Sequence, residues 1–338
     1  MPRTRMQRRP NASVFVDRGT HLARLARRFS RKFRLDLSGL RVLTEAATGP
    51  FSVTAPLAAL AGGTVFAVAR PNRYGSAEKS ARQVRAVARR LGVSHRIQIV
   101  RNSFQAPLHT IDLVTNSGNV RPIDRSFLSQ LHPKAVVSLM VEPWELRRQD
   151  VNVRAARRFG IALAGPNERG SKVDVFRYLI PLVQRIARKN KLRFRHRNVL
   201  LVSSPEFRPY LIQAVKTLGG TPITRPQKAD VVILATGPNI KTSRTFLSKC
   251  SNGTPVIQLW GDVDAGRLRH LRWLPKEPPV KGHMGYLLSD LGPEPAVRLI
   301  AGGLKVGEIL ARTRGKGYSV RKSVARAVRS SFALPAGR

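Results

Sequence analysis

The chain has 338 residues, 61 Lys and Arg against 19 Asp and Glu, a formal net charge of +42 and 42% hydrophobic residues. Such a length accommodates two ordinary domains with real cores. No apolar run approaches the ~20 residues that cross a bilayer, and the single cysteine, Cys250, excludes an internal disulfide framework. One cysteine and no cleavable secretory pattern at the N-terminus set the expectation of a cytoplasmic protein. The positive charge attracts nucleic acid, anionic lipid or any acidic partner without specificity. It is scattered rather than striped, however, and no aromatics interleave with the arginines as a single-strand binder requires.

In chain order, residues 1–37 read as a basic extension. Leu22, Leu25, Phe29 and Phe33 fall at helical spacing, with Arg24, Arg27, Arg28, Arg31 and Lys32 on the other faces. Such a helix either lies on an anionic membrane or packs on its host domain, and the second is the preferred reading. From residue 38 to 170, short apolar runs at 41–45, 64–69, 97–100, 112–116, 135–141 and 161–164 alternate with helical patterns such as 76–91, which Gly92 terminates. A helix over 173–188 and a basic linker occupy 171–194. A second series of strands follows at 198–202, 222–224, 230–235 and 255–260 within a domain drawn over 195–311. Its last helix, 295–311, contains Gly302-Gly303, which weakens it unless another backbone packs closely there. Residues 312–338 form a basic tail with Val320, Val324, Val328 and Phe332 in steps of four. Short Val- and Ile-rich strands separated by amphipathic helices predict an α/β protein. The expected architecture is two Rossmann-like parallel-sheet domains joined by a long interdomain helix, with basic amphipathic helical ends.

The stretch from Val199 to Pro209 has the strand–turn–helix order of a dinucleotide-binding unit without its glycines. Ser203-Ser204-Pro205-Glu206 stands where G-x-G-x-x-G lets backbone N–H groups approach a pyrophosphate. Pro205 has no N–H, and the Glu206 carboxylate occupies a place suited to phosphate.

The order of parts over residues 110–310 resembles the D-isomer-specific 2-hydroxyacid dehydrogenases. Asn116-Ser117-Gly118-Asn119-Val120 stands at that family's substrate-contacting loop. Residues 155–167 are similar to its A-x-x-x-G-I-x-V … P-G-x-N stretch, and Ala229-Asp230-Val231-Val232-Ile233-Leu234 to its A-D-V-V-x-L strand. Gly282-His283-Met284-Gly285 looks like P-H-x-G, so the resemblance implies His283 as general acid/base. The departures are equally specific. Beyond the missing glycines, Thr224-Arg225 replaces the ribose-binding acid, and Gln258-Leu259-Trp260-Gly261-Asp262 lacks the family's catalytic arginine.

The first domain offers a rival cofactor site. Thr48, Gly49 and Ser52 lie before a predicted helix start, and Arg70 and Arg73 follow the second strand, where they resemble the 2′-phosphate clamp of shikimate-dehydrogenase-like NADP domains. NADP is therefore a possible cofactor, while the usual NAD pose is disfavoured. The histidines show no metal spacing, so no metal is expected. The scarce acids gather at predicted strand ends, as Glu45, Glu142, Glu168 and Asp262. Together with Asn116, Ser117, Gly118, Trp144 and Asn167 they suggest a site for a small-molecule or peptide ligand in the interdomain cleft; the competing and slightly preferred reading has these acids paired with the surplus arginines. The sequence thus points first to a dehydrogenase-like biosynthetic accessory protein. The alternatives are an NADP-dependent oxidoreductase and a non-specific polyanion binder, and a homodimer is possible.

Overall fold

The computed structural model describes residues 12–237, 244–277, 279 and 284–336, with 12–18 and 244 described in backbone only. They form two compact units, one from residues 1–166 and 297–338, the other from 167–296. The first unit begins with α1 (Ala12–Phe33) and continues through β1 (Arg41–Glu45), α2 (Thr54–Leu60), β2 (Thr64–Val68), α3 (Ala77–Leu91), β3 (Ile97–Val100), β4 (Leu113–Thr115), α4 (Arg125–Leu128), β5 (Val136–Ser138), α5 (Val153–Arg158) and β6 (Ala162–Pro166). The second holds α6 (Leu179–Lys189), β7 (Asn198–Ser203), α7 (Arg208–Thr217), β8 (Thr221–Ile223), β9 (Val231–Ala235), α8 (Arg244–Leu247), β10 (Pro255–Trp260) and β11 (Arg272–Leu274). The chain then leaves through α9 (Glu294–Gly315) and completes the first unit with α10 (Val320–Arg329) and β12 (Ala333–Pro335).

The seven-stranded sheet has the order β12-β6-β5-β4-β1-β2-β3, parallel except for β12, which runs antiparallel to β6. The five-stranded sheet, β11-β10-β9-β7-β8, is parallel throughout. Both are doubly wound, and their strand order reverses between β1 and β4 and between β7 and β9, the places where such sheets open a crevice at the strands' carboxyl ends. The expected α/β class and two Rossmann-like sheets are what the chain forms. Strands β4, β5, β6 and β9 are buried along their whole length, which is why they read as apolar runs rather than as alternations.

Two differences from the sequence reading have physical causes. The long helix drawn over 173–188 begins as α6 only at Leu179, after a short 3₁₀ turn at Phe176–Tyr178. Asp174 has φ +50°, a left-handed backbone that no helix interior takes. The second domain drawn to 311 ends sooner, because α9 belongs to the first unit from Val297 onward. There Gly303 meets β5: the Ser138 hydroxyl donates to its carbonyl at 2.6 Å, and a Cβ at 303 would stand 3.1 Å from the Leu139 carbonyl. The glycine is thus explained by close backbone approach. The basic ends pack on the host unit, as the preferred reading had it, and join its core. Leu22, Leu25, Phe29 and Phe33 of α1 are buried in one cluster with Val297, Ile300 and Leu304 of α9, and Phe33 meets Phe332 edge-on at 5.4 Å. The apolar faces that suggested a membrane surface are covered by the host unit. No helix among the described residues is long and apolar enough to cross a membrane.

Candidate functional site

The carboxyl ends of β1 and β4 lie side by side at the reversal point of the first sheet. Their register pairs Val42 with Leu113 and Leu43 with Val114, so Glu45 and Asn116 fall opposite each other on one face. Asn116 is fully buried; its Oδ1 accepts the Met140 N–H at 2.7 Å, while its Nδ2 is buried with no partner. A buried amide with an unfilled donor costs free energy unless something outside the chain accepts from it. Glu45 is half-buried, and its Oε2 accepts the Asn119 N–H at 3.3 Å. Burial pushes its carboxyl above the ordinary value, against the lowering effect of the Asn119 and Gly118 N–H groups and the Arg121 guanidinium.

The loop after β4 is held by its own polar network. The Asn119 amide donates to the Ala46 carbonyl at 2.8 Å and the Val68 carbonyl at 3.3 Å, tying β1 and β2 to the loop, and accepts from Asn72 at 3.1 Å. Ser117 is buried in a chain of hydroxyls with Thr115 and Thr44, so its oxygen serves the strands. Gly118 is exposed above Glu45, whose Oε2 would lie 3.5 Å from a Cβ placed there. Arg121 bonds the Asn116 carbonyl and pairs with Asp150 at 3.2 Å, and Arg147 shares that carboxylate at 3.1 Å. Desolvation lowers the Arg121 pKa, an effect only partly offset by Asp150. Glu142, fully buried just past β5, accepts the Trp144 indole N–H at 2.6 Å within its own turn.

The structure therefore brings Asn116, Ser117 and Gly118 together with Glu45, and sets Glu142 and Trp144 on the neighbouring strand end. Asn167 and Glu168 begin the second unit: Asn167 caps its turn by accepting the Gly170 N–H at 3.0 Å, and the Glu168 carbonyl accepts from Val175 at 2.7 Å. His283 lies outside the described residues. Arg121, Asp150 and Met140 escaped the sequence reading, since Met140 acts through its backbone N–H and the other two through an ion pair, neither of which any spacing encodes.

At the first-unit turn the proposed cofactor donors have partners of their own. The Gly49 N–H donates to Gln83 at 2.7 Å, and the Ser52 hydroxyl to the Gly49 carbonyl at 2.7 Å. Thr48 is half-buried and makes no capping bond. Arg70 reaches the carbonyls of Arg121 at 3.0 Å and Asn119 at 3.4 Å, and Arg73 bonds the Tyr74 hydroxyl at 2.6 Å with its guanidinium 4.8 Å above that ring.

The turn after β7 is similarly self-contained. The Ser204 N–H donates to the Ala235 carbonyl at 3.0 Å, and the Phe207 and Arg208 N–H groups both donate to the Ser204 carbonyl. Pro205 and Pro209 have no N–H. The Ser204 hydroxyl accepts the Gly237 N–H at 2.7 Å, and Phe207 is buried, stacked 5.1 Å from Phe176. A pyrophosphate needs several free N–H groups converging at such a helix start, and the residues present do not fit that requirement. Among the described residues, no group of three or more His, Cys, Asp or Glu could hold a metal ion.

No protein-family model matches the sequence, and no curated protein matches it. Solved structures do. A dipicolinate synthase subunit from Bacillus halodurans is 11% identical with a TM-score of 0.52, over 79% of this chain and 96% of that one. Its counterpart, dipicolinate synthase from Bacillus subtilis, is 10% identical with a TM-score of 0.54, over 86% and 99%. An NAD-dependent formate dehydrogenase from Staphylococcus aureus, solved with NAD, is less alike at 10% identity and a TM-score of 0.43, over 79% and 93%. The two synthase structures share this chain's fold, two Rossmann-like parallel-sheet domains.

Proposed function

We propose that this chain is a dehydrogenase-like protein without the usual NAD pose, serving as a biosynthetic accessory protein that holds a small-molecule or peptide ligand. The observation that carries the proposal is the turn after β7, where three N–H groups bond within the chain and two residues are proline. The two similar structures belong to a synthase, which is in keeping with an accessory role. For the ligand, the support lies at the ends of β1 and β4. Asn116 offers an unfilled amide donor, and Glu45 a carboxyl group with one oxygen engaged. A ligand group that both accepts and donates, such as an amide, matches that pair. An NADP-dependent oxidoreductase built on the first-unit turn has less support, because Gly49, Ser52 and Arg70 already donate within the chain.

Titration calorimetry of the full chain with NAD(H) and NADP(H) tests this reading. No micromolar binding of either is expected. Micromolar NAD(H) binding that a Glu206→Arg substitution alters would overturn it. Micromolar NADP(H) binding weakened by Arg70→Ala and Arg73→Ala would install the oxidoreductase instead.

A further inference from the structure

The chain closes one edge of its first sheet itself, since β12 pairs with β6. The other edge, β3, has no strand beside it among the described residues. Val100 pairs with Val68, and its carbonyl accepts the Ala69 N–H at 2.8 Å. Backbone groups of alternate residues face alternate sides of a parallel strand, so Gln98 and Val100 face β2 while Ile97 and Ile99 face outward. The Ile97 N–H donates to the Ser94 carbonyl. The Ile97 carbonyl and both groups of Ile99 remain as an unfilled ladder.

Beside this edge lies a groove lined by Val84, Arg85, Ala88 and Arg89 of α3 and by Ile97 and Ile99 of β3. Both arginines are exposed, and neither guanidinium has a hydrogen-bond or ion-pair partner among the described residues. We propose that β3 and this groove form a docking site for an extended, acidic segment of a partner protein, added to the sheet as a further strand.

Three features select that occupant. The open ladder is complementary to another peptide backbone. The aliphatic walls suit small apolar side chains and offer no aromatic face to a nucleic-acid base. The two guanidiniums are one helical turn apart, about 6 Å along α3, close to the ~6.6 Å between alternate residues of a strand; acidic side chains at alternate positions therefore reach both. A second copy of this chain, at +42, is repelled rather than attracted. The proposal is independent of the ligand reading above, which concerns the ends of β1 and β4.

Fluorescence anisotropy of the full chain at physiological salt, with a labelled peptide of alternating Glu and Val, tests the site. Arg85→Glu with Arg89→Glu should weaken binding at least about tenfold. Arg157→Glu with Arg158→Glu, the same charge change on α5, should weaken it no more than about twofold. N-methylating alternate peptide nitrogens, in each of the two registers, should weaken one register about tenfold with the wild-type protein, independently of how any variant folds. Absence of peptide binding, equal losses in the two double variants, or indifference to both methylation patterns would overturn the proposal. So would tighter binding of an oligonucleotide of equal charge, or self-association of the chain that Arg85→Glu with Arg89→Glu abolishes.

Discussion

Replacing Gly303 with alanine sets two opposed effects against each other. In a helix interior, alanine is favoured over glycine by about 1 kcal/mol. Against this, the new methyl group would run into the Met140 sulfur and stand 3.1 Å from the Leu139 carbonyl. The sulfur is the movable end of a flexible side chain, but the carbonyl belongs to the backbone after β5, where the Ser138 hydroxyl already ties the strand to Gly303. Overpacking of this kind costs about 1–3 kcal/mol, so the net expectation is a loss of about 0–2 kcal/mol. Gly315, at the end of the same helix, would place an added methyl group with nothing within 4 Å, and alanine there should stabilise by up to about 1 kcal/mol. The assay is urea unfolding of both variants, followed by circular dichroism. Gly303→Ala more stable than wild type by as much as Gly315→Ala would refute the close approach of α9 to β5. Because the Met140 N–H holds Asn116 Oδ1, the destabilised variant should also exchange the Met140 amide proton faster.

Other perturbations address the site and the core. Burial raises the Glu45 pKa above its ordinary value of 4.5, so the folded chain binds more protons here than the unfolded chain between the two values, and stability falls as pH rises through that window. Glu45→Gln should remove this part of the slope; an unchanged pH dependence of the urea midpoint contradicts it. Phe29→Ala empties a fully buried site in α1 and should cost about 3–5 kcal/mol in chemical denaturation. A negligible loss would mean that α1 is an appendage. Asn116→Ala leaves the Met140 N–H without its acceptor and should cost about 1–3 kcal/mol, whereas Ser117→Ala breaks a network of hydroxyls with alternative partners and should cost less.

Much of the scaffold was legible in the residues. The apolar run 231–235 became a strand because burial on both faces demands apolar side chains at every position. Gly92, read as a helix stop, caps α3 with φ +76°. The helical spacing of Leu22, Leu25, Phe29 and Phe33 likewise produced a helix with that face buried.

What lay beyond the sequence was which distant groups meet. Nothing in the order of residues states that α9 crosses back to the first unit, or that β12 closes an edge of its sheet. Gly303 announced only that some backbone comes close; the structure shows it to be β5. The candidate site divides in the same way. Glu45 and Asn116 were identifiable as polar residues at strand ends, because a period of two and an apolar run place them there. The unfilled Asn116 donor, the occupied Gly49 N–H and the closed turn at Ser204 emerge only when all atoms are in place. Side-chain periodicity is a local property that residue type controls, whereas hydrogen-bond satisfaction is a count over neighbours brought together from across the chain.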